Sequence, residues 1–143
     1  MAEPIPDTHF ERAKAEFLAG LQRHQAGDHT GAERHYLRSL MDVPGRASTL
    51  TNLSAVQLLL AKPQDALANA DAALAAETNN LEAMLHRAAA LAQLGHAPQA
   101  LAAYQHLISF NPNHAGAWSA CGNLLREMNR LDESGQAVHE ALR

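Results

Sequence analysis

Nine histidines stand out in this sequence, because imidazole is a common metal ligand and the side chain that most readily exchanges a proton near neutral pH. Metal-binding histidines recur at short, regular spacings on one face of a helix, as in H-E-x-x-H. Here His24, His29 and His35 lie five and six residues apart, and no H-E-x-x-H motif occurs. We therefore predict no metal site, and expect the histidines to be solvated or partly packed.

The single cysteine, Cys121, is the candidate nucleophile. A catalytic thiol needs a neighbouring group that stabilises the thiolate, and the sequence offers no identifiable base beside it. One cysteine also excludes an intramolecular disulfide and a multi-cysteine zinc site. The eight glycines are dispersed and form no phosphate-binding loop. These observations predict a chain that is not an enzyme and uses no cofactor.

Composition further limits the classes of function that the chain can have. The chain has 143 residues, of which 47% are hydrophobic and 18% charged, as expected for one folded domain, and no apolar run approaches the ~18 residues of a membrane helix. A net charge of −4 without a basic cluster argues against nucleic acid as a partner. The first ten residues, MAEPIPDTHF, lack the basic and apolar segments of a signal peptide. We expect a cytoplasmic protein that binds neither nucleic acid nor membrane.

The elements that position these side chains follow a repeat of 34 residues. It divides the chain into an N-terminal extension and four units, the last of them truncated: residues 1–12, 13–46, 47–80, 81–114 and 115–143. Small side chains recur at the eighth and twentieth positions of the units: Gly20, Ser54, Ala88 and Gly122, then Ala32, Ala66, Ala100 and Ser134. Because small residues let two backbones approach closely, each unit is predicted to be a pair of packed helices.

Helix-breaking residues keep the same phase. The fifteenth positions, where the first helix of each unit should end, hold Gly27, Ala61, Gly95 and Asn129. Glycine and asparagine tolerate the left-handed conformation that ends a helix, so only Ala61 departs from the pattern. Pro63 and Pro98 are placed to begin second helices, where a missing N–H costs nothing. Asp28 is predicted to cap the equivalent helix of the first unit through its side-chain oxygen.

Capping boxes predict two further helix starts. Asn79 with Glu82 resembles a capping box that opens the third unit. Thr8 with Glu11 resembles another, so we expect one long first helix from near His9.

These markers resemble the tetratricopeptide repeat (TPR), whose pattern is W-x2-L-G-x2-Y, then A-x3-F, then P. The matching residues are Trp118 with Gly122, Leu53 with Ser54, Ala32 with Tyr36, and Ala100 with Tyr104. The departures are Arg23 and Gln57 at the eleventh position, Arg87 at the seventh and Ala70 at the twenty-fourth. The resemblance covers residues 13–143 and implies an all-α, right-handed α-solenoid of stacked antiparallel helix pairs, with about eight helices in one domain.

In TPR proteins the first helix of each unit lines a concave groove that binds a peptide or a helix of a partner protein. Carried over by position, the resemblance implies that the groove is lined by Phe17, Leu18, Leu21, His24, Thr51, Asn52, Leu58, Leu85, His86, Asn123 and Arg126. We expect this groove to be largely apolar in its N-terminal half and more polar towards the C-terminal end.

Two sharper family templates fit poorly. The positions that clamp a peptide carboxylate in co-chaperones, occupied there by Lys, Asn, Asn, Lys and Arg, read Phe17, Leu21, Asn52, Glu82 and His86 here. Only Asn52 matches, so we reject a carboxylate clamp. The asparagine ladder of O-linked N-acetylglucosamine transferases reads Leu18, Asn52, His86 and Ala120. With one asparagine in four positions, Asn52 is equally well explained as an exposed polar residue.

The sequence thus favours a non-catalytic protein-binding module, expected to be the N-terminal adaptor of a longer bacterial protein such as a TPR-fused transferase. The bacterial origin is suggested by nine arginines against two lysines. A free-standing assembly factor or secretion-type chaperone is the alternative, and an enzyme is a third hypothesis. Unit four ends without a polar capping helix. We therefore expect a monomer or a weak homodimer that associates through Val138 and Leu142.

Overall fold

The computed structural model of the protein describes residues 7–128 and 139–142, and these residues contain no β-strand. Seven helices follow one another along the chain: α1 (Asp7–Gln25), α2 (His29–Asp42), α3 (Ala47–Leu59), α4 (Pro63–Ala76), α5 (Leu81–Gln93), α6 (Ala97–Phe110) and α7 (Ala115–Glu127). Residues 139–141 are also helical. The second helix predicted for the fourth unit lies mostly outside the described residues.

Each helix packs against the next one in the chain, and α3 also contacts α5 directly. Helices α3, α5 and α7 begin at Ala47, Leu81 and Ala115, the first residues of the second, third and fourth repeat units. The described chain is therefore an all-α solenoid of stacked antiparallel helix pairs, as predicted. None of its helices is both long and apolar enough to cross a membrane, a statement that covers the described residues alone.

The recurrent small residues explain why the helices can pack so closely. Ala32, Ala66 and Ala100, at the twentieth positions, have no exposed surface. At Gly20, a Cβ atom would lie 2.5 Å from Cε1 of Tyr36, far inside van der Waals contact. The glycine is therefore required for α1 to pack on the tyrosine ring of α2.

The helix ends follow the predicted punctuation in most places. Gly27 and Gly95 have φ values of +82°, and Ala61 adopts the same left-handed region with φ of +57° although it carries a Cβ. The Asp28 carboxylate caps α2, accepting a hydrogen bond of 2.9 Å from the Gly31 N–H. Proline stands in the first turn of both α4 and α6.

Two predicted capping residues were wrong. The cap of α5 is Asn80, whose Oδ1 accepts a hydrogen bond from the Ala83 N–H, and not Asn79. The Asn80 side chain also reaches α3, where its Nδ2 donates to the Thr51 hydroxyl. The first helix is long and starts near His9, as predicted, but it already includes Asp7, so Thr8 lies inside the helix rather than at its cap.

Candidate functional site

The candidate site consists of the predicted groove positions on the first helix of each unit, namely α1, α3, α5 and α7. We call this set of positions the inner face. Because the sequence repeats every 34 residues, equivalent residues of successive units lie at equivalent positions along these helices. The side chains differ widely in how much surface they offer.

The N-terminal part of the inner face is apolar. Phe17 and Leu21 are half-buried and pack against the core of α2 and α3, with the Phe17 ring centroid 5.8 Å from that of Tyr36. Leu18 is 47% exposed. The Arg46 guanidinium lies over the Phe17 ring, 5.6 Å from its centroid, a cation–π contact that the repeat pattern does not indicate. Leu18 is therefore the most available apolar side chain of this part.

The apolar surface continues on the last turn of α3. Leu58 is half-buried, and Leu59, at the thirteenth position of its unit and also a groove position in the family, is 59% exposed. The Leu58 carbonyl accepts a hydrogen bond of 3.3 Å from Nε2 of Gln93, which ties α3 to α5.

A polar chain of hydrogen bonds crosses the middle of the inner face. The Ser54 hydroxyl donates to the Thr51 carbonyl at 2.7 Å, so it can accept at 2.9 Å from Nδ1–H of His86 on α5. The Thr51 hydroxyl donates to the Ala47 carbonyl and accepts from Nδ2 of Asn80. These bonds link α3 to the first turns of α5.

This arrangement changes the expectation for Thr51. It was predicted to line the groove, yet it is only 4% exposed and its hydroxyl is bonded within the protein. Thr51 therefore forms the floor of a polar cleft of about 200 Å³, together with Ser48, Asn52, Glu77, Asn80 and Glu82. The half-buried Asn52 donates its amide to the Ser48 carbonyl at 2.8 Å, so its Oδ1 is the atom best placed to accept a bond from a ligand.

The histidines of the inner face are shifted towards the neutral form. Burial lowers the pKa of His86, although the nearby Glu82 carboxylate opposes this and His24 adds to it. Burial and the neighbouring His29 also lower the pKa of His24, whose ring meets that of His29 edge-on at 5.8 Å. Both side chains therefore act mainly as neutral hydrogen-bonding groups near pH 7.

The C-terminal part of the inner face is more polar. Asn123 and Arg126 are exposed on α7, whereas Leu85 is half-buried and packs against the adjoining core. Of the two residues proposed for self-association, Leu142 is 83% exposed. Val138 lies outside the described residues.

Cys121 is buried, and burial raises the pKa of its thiol to about 11, so the thiolate is scarce at neutral pH. Within residues 7–128 and 139–142, no group of three or more His, Cys, Asp or Glu side chains is arranged to hold a metal ion.

A second cleft, which the sequence did not indicate, adjoins the N-terminal end of the inner face. It measures about 480 Å³ and lies between α1 and the segment that joins α2 to α3; its lining includes Phe10, Lys14 and Arg46. Phe10 is 56% exposed. The signal that could have located it is the spacing of Phe10 and Lys14, four residues apart and thus on one side of α1.

Comparison with known proteins gives relatives of two kinds. No family model matches the chain. Curated proteins from mouse and human, both named FK506-binding protein-like, are each 32% identical over 128 residues. The match covers 84% of this chain but only 37% of either relative, so the chain spans little more than a third of their length.

Several solved structures with the same arrangement of helices are tetratricopeptide repeat proteins. MamA superposes with a TM-score of 0.83 at 18% identity, covering 91% of this chain and 76% of MamA. YrrB, described as a TPR protein with an unusual peptide-binding site, gives 0.81 at 21% identity, covering 91% and 67%. The TPR domain of Arabidopsis OM64 gives 0.79 at 21% identity, covering 83% and 98%. The chain therefore has the tetratricopeptide repeat fold, a right-handed α-solenoid, as its 34-residue sequence period predicts.

Proposed function

We propose that the chain is a non-catalytic interaction module that binds a peptide or a helix of a partner protein on its inner face. The observation that carries the proposal is the exposure of large apolar side chains there, Leu18 at 47% and Leu59 at 59%. Exposed apolar surface beside well-placed polar groups is typical of a protein-binding site, because a partner removes it from water. The peptide-binding site ascribed to the structurally similar YrrB supports the same reading.

The polar groups suggest how the partner is oriented. Apolar side chains of the ligand would cover Leu18 and Leu59, while its backbone would bond Asn52 in the central cleft. Lys14 and Arg46 border the N-terminal cleft, and Glu77 and Glu82 border the central one. We therefore expect a ligand with an acidic residue towards α1 and a basic residue towards the start of α5.

The proposal is tested with a peptide selected on the whole chain from a random displayed library and then synthesised with a fluorescent label. Leu18→Glu should weaken its binding at least tenfold, which corresponds to about 1.4 kcal/mol. Leu37→Glu is the matched control, since Leu37 is 46% exposed but lies on α2, away from the inner face. Equal loss in both variants, or no loss in Leu18→Glu, would contradict the proposal.

Leu21 is a poor choice for this experiment, because it packs against the core and its replacement by Glu would unfold the first unit.

A second experiment tests whether the chain binds a peptide C-terminus through the carboxylate clamp that the sequence argues against. Amidation of the peptide C-terminus should leave its affinity unchanged, since Glu82 stands where that template needs a lysine.

For the setting of the module, we propose an N-terminal adaptor within a longer bacterial protein, such as a TPR-fused transferase. The greater length of the curated relatives supports a longer polypeptide, whereas the bacterial origin and the transferase stay predictions. A free-standing assembly factor or secretion-type chaperone is the alternative. The genomic reading frame after Arg143 separates the two, since an adaptor is followed by a further domain.

A further inference from the structure

A cleft of about 620 Å³ lies on the other side of the solenoid, between the second helices α4 and α6. Its floor is the side of α5 that carries Met84, Arg87 and Leu91, and its walls include Leu74 of α4 and Ala103 of α6. The inner-face residues Leu85 and His86 occupy another side of α5. This cleft, which we call the outer cleft, is therefore separate from the site of the proposed function.

One residue that lines the outer cleft departs from the repeat pattern. Arg87 stands at the seventh position of its unit, where the second unit has Leu53. Leu53 has no exposed surface, whereas the Arg87 side chain is 41% exposed and leaves the core towards α4. There its Nε donates a hydrogen bond of 2.7 Å to Oδ1 of Asp71. Leu53 packs in the core with Tyr36 and Val56, whereas Arg87 lines the open cleft between α4, α5 and α6.

The dimensions of the cleft suit a helix. Met84, Arg87 and Leu91 follow one another at helical spacing, and they span about 10 Å along α5 at 1.5 Å per residue. Ala102 and Ala103 on the facing wall are small enough to let another backbone approach closely. Two turns of an amphipathic helix, with apolar side chains three and four residues apart, would occupy such a groove.

The side chains that line the outer cleft favour a helix that carries a carboxylate. Arg87 and His106 belong to its lining, and none of the lining residues is an aspartate or a glutamate. The bond to Asp71 uses the Nε–H of Arg87, so the guanidinium keeps its two Nη groups as donors for a carboxylate. Asp71 itself is 53% exposed at the rim, where it competes with an incoming carboxylate.

We propose that the outer cleft is a second docking site, which takes an acidic amphipathic helix of a partner protein. Its apolar side chains pack on Leu74, Met84 and Leu91, and one of its carboxylates binds the guanidinium of Arg87. This goes beyond the proposed function, because the chain can then hold two partners at once on opposite sides.

The test uses the whole chain and a labelled 16-residue designed helix that carries leucines on one face and a glutamate in the middle of that face. A second peptide has glutamine in place of this glutamate. We expect the glutamate peptide to bind with a Kd below about 100 µM and at least fivefold more tightly than the glutamine peptide. No binding, or equal binding of the two peptides, would overturn the proposal.

Variants locate the binding. Arg87→Leu should reduce affinity for the glutamate peptide at least tenfold, since it removes the guanidinium that binds the carboxylate. Asp71→Asn removes the competing carboxylate from an exposed position, so it should tighten binding two- to threefold without harming the fold. Unchanged affinity in Asp71→Asn would count against the proposed role of Arg87.

The inner-face variant Leu18→Glu is the matched control and should bind the glutamate peptide as the wild type does. Loss of binding in Leu18→Glu, with none in Arg87→Leu, would place the peptide on the inner face and overturn the proposal. Decanoate, a small amphiphile, is tested as a competitor. If decanoate bound in the outer cleft and the glutamate peptide did not displace it, the cleft would be a site for small amphiphiles and the proposal would be overturned.

Discussion

Ser54 of α3 and His86 of α5 are joined by a hydrogen bond of 2.9 Å across the inner face. Because the Ser54 hydroxyl donates its own proton to the Thr51 carbonyl, the proton in the bond to His86 comes from Nδ1 of the imidazole. Ser54 has no exposed surface, so the bond lies in a dry environment. The neutral Nδ1–H tautomer and the imidazolium can both make this bond, so protonation of His86 affects stability through the burial of a charged ring and not through loss of the bond.

The first prediction is that the protein loses stability as the pH falls below about 6.5, the pKa of an unperturbed histidine. Burial lowers the pKa of His86 in the folded chain, so the unfolded chain binds more protons in that pH range. Stability therefore rises with pH through the range and is lost on acidification. Urea unfolding of the wild type and of His86→Gln at about pH 7.5 and about pH 5.5 should show a smaller difference in the variant.

His96→Gln is the control for this experiment, because His96 is exposed at the start of α6. It should keep the wild-type difference between the two pH values. If His86→Gln kept the full difference as well, protonation of His86 would not be the cause.

The second prediction concerns Tyr36, whose ring is fully buried and whose hydroxyl has no hydrogen-bond partner among the described residues. Burial raises its pKa to about 12. A buried polar atom without a partner costs free energy, so Tyr36→Phe should raise the free energy of unfolding by about 1 kcal/mol. Urea unfolding measures the change directly.

Tyr104 holds the same position in the third unit, and its hydroxyl is not among the buried atoms without a partner. Tyr104→Phe should therefore give no such gain. A loss of stability in Tyr36→Phe would mean that a bound water satisfies the Tyr36 hydroxyl.

The helix pairs could be read from the sequence, because they depend on backbone requirements that single residues reveal. Gly27 and Gly95 provide the left-handed turns, and Gly20 makes room for the Tyr36 ring. The hydrogen bonds of the inner face could not be predicted from the sequence. Ser54 was identified only as a small residue at a packing position, and its bond to His86 depends on the register of α3 against α5.

Thr51 illustrates the same limit. The repeat position places it on the inner face, but whether it faces the ligand or the floor of the cleft is decided by Asn80, which reaches across to its hydroxyl. Arg87 was recognised as a departure from the pattern, yet the cleft that it lines appears only when α4 and α6 are in place. Contacts between side chains of neighbouring repeats could therefore not be predicted from this one sequence.

The third prediction follows from Ala61, which has a φ of +57° at the place where Gly27 and Gly95 have +82°. A left-handed alanine costs about 1–2 kcal/mol, and a glycine costs about 0.5–1 kcal/mol of chain entropy. Ala61→Gly should therefore raise the free energy of unfolding by about 0.5–1 kcal/mol, measured by urea unfolding.

The reverse changes provide the control. A Cβ at Gly27 or Gly95 would meet no atom within 4 Å, so Gly95→Ala isolates the backbone effect. It should destabilise the protein by a similar amount. If Ala61→Gly were destabilising, the alanine methyl group would have to contribute packing that outweighs its strained backbone.

The fourth prediction concerns Gln57, which replaces the aromatic residue of the repeat pattern at its eleventh position. Its Nε2 donates to Glu33 at 3.2 Å, and its Oε1 accepts from Nδ2 of Asn69 at 2.7 Å. Glu33 is only 8% exposed and also accepts a bond of 2.7 Å from Nζ of Lys62. Gln57 therefore connects α2, α3 and α4 through polar groups that are satisfied together.

Gln57→Tyr, which restores the family pattern, should consequently destabilise the protein. It leaves a buried carboxylate oxygen and an amide without their partner, at a cost of about 1–3 kcal/mol. Glu33→Leu alone should be destabilising too, but Gln57→Leu with Glu33→Leu should cost less than the sum of the single changes, because the two residues share a bond. Strict additivity in urea unfolding would show that the network contributes nothing beyond its separate side chains, and a stabilised Gln57→Tyr would show that aromatic packing outweighs it.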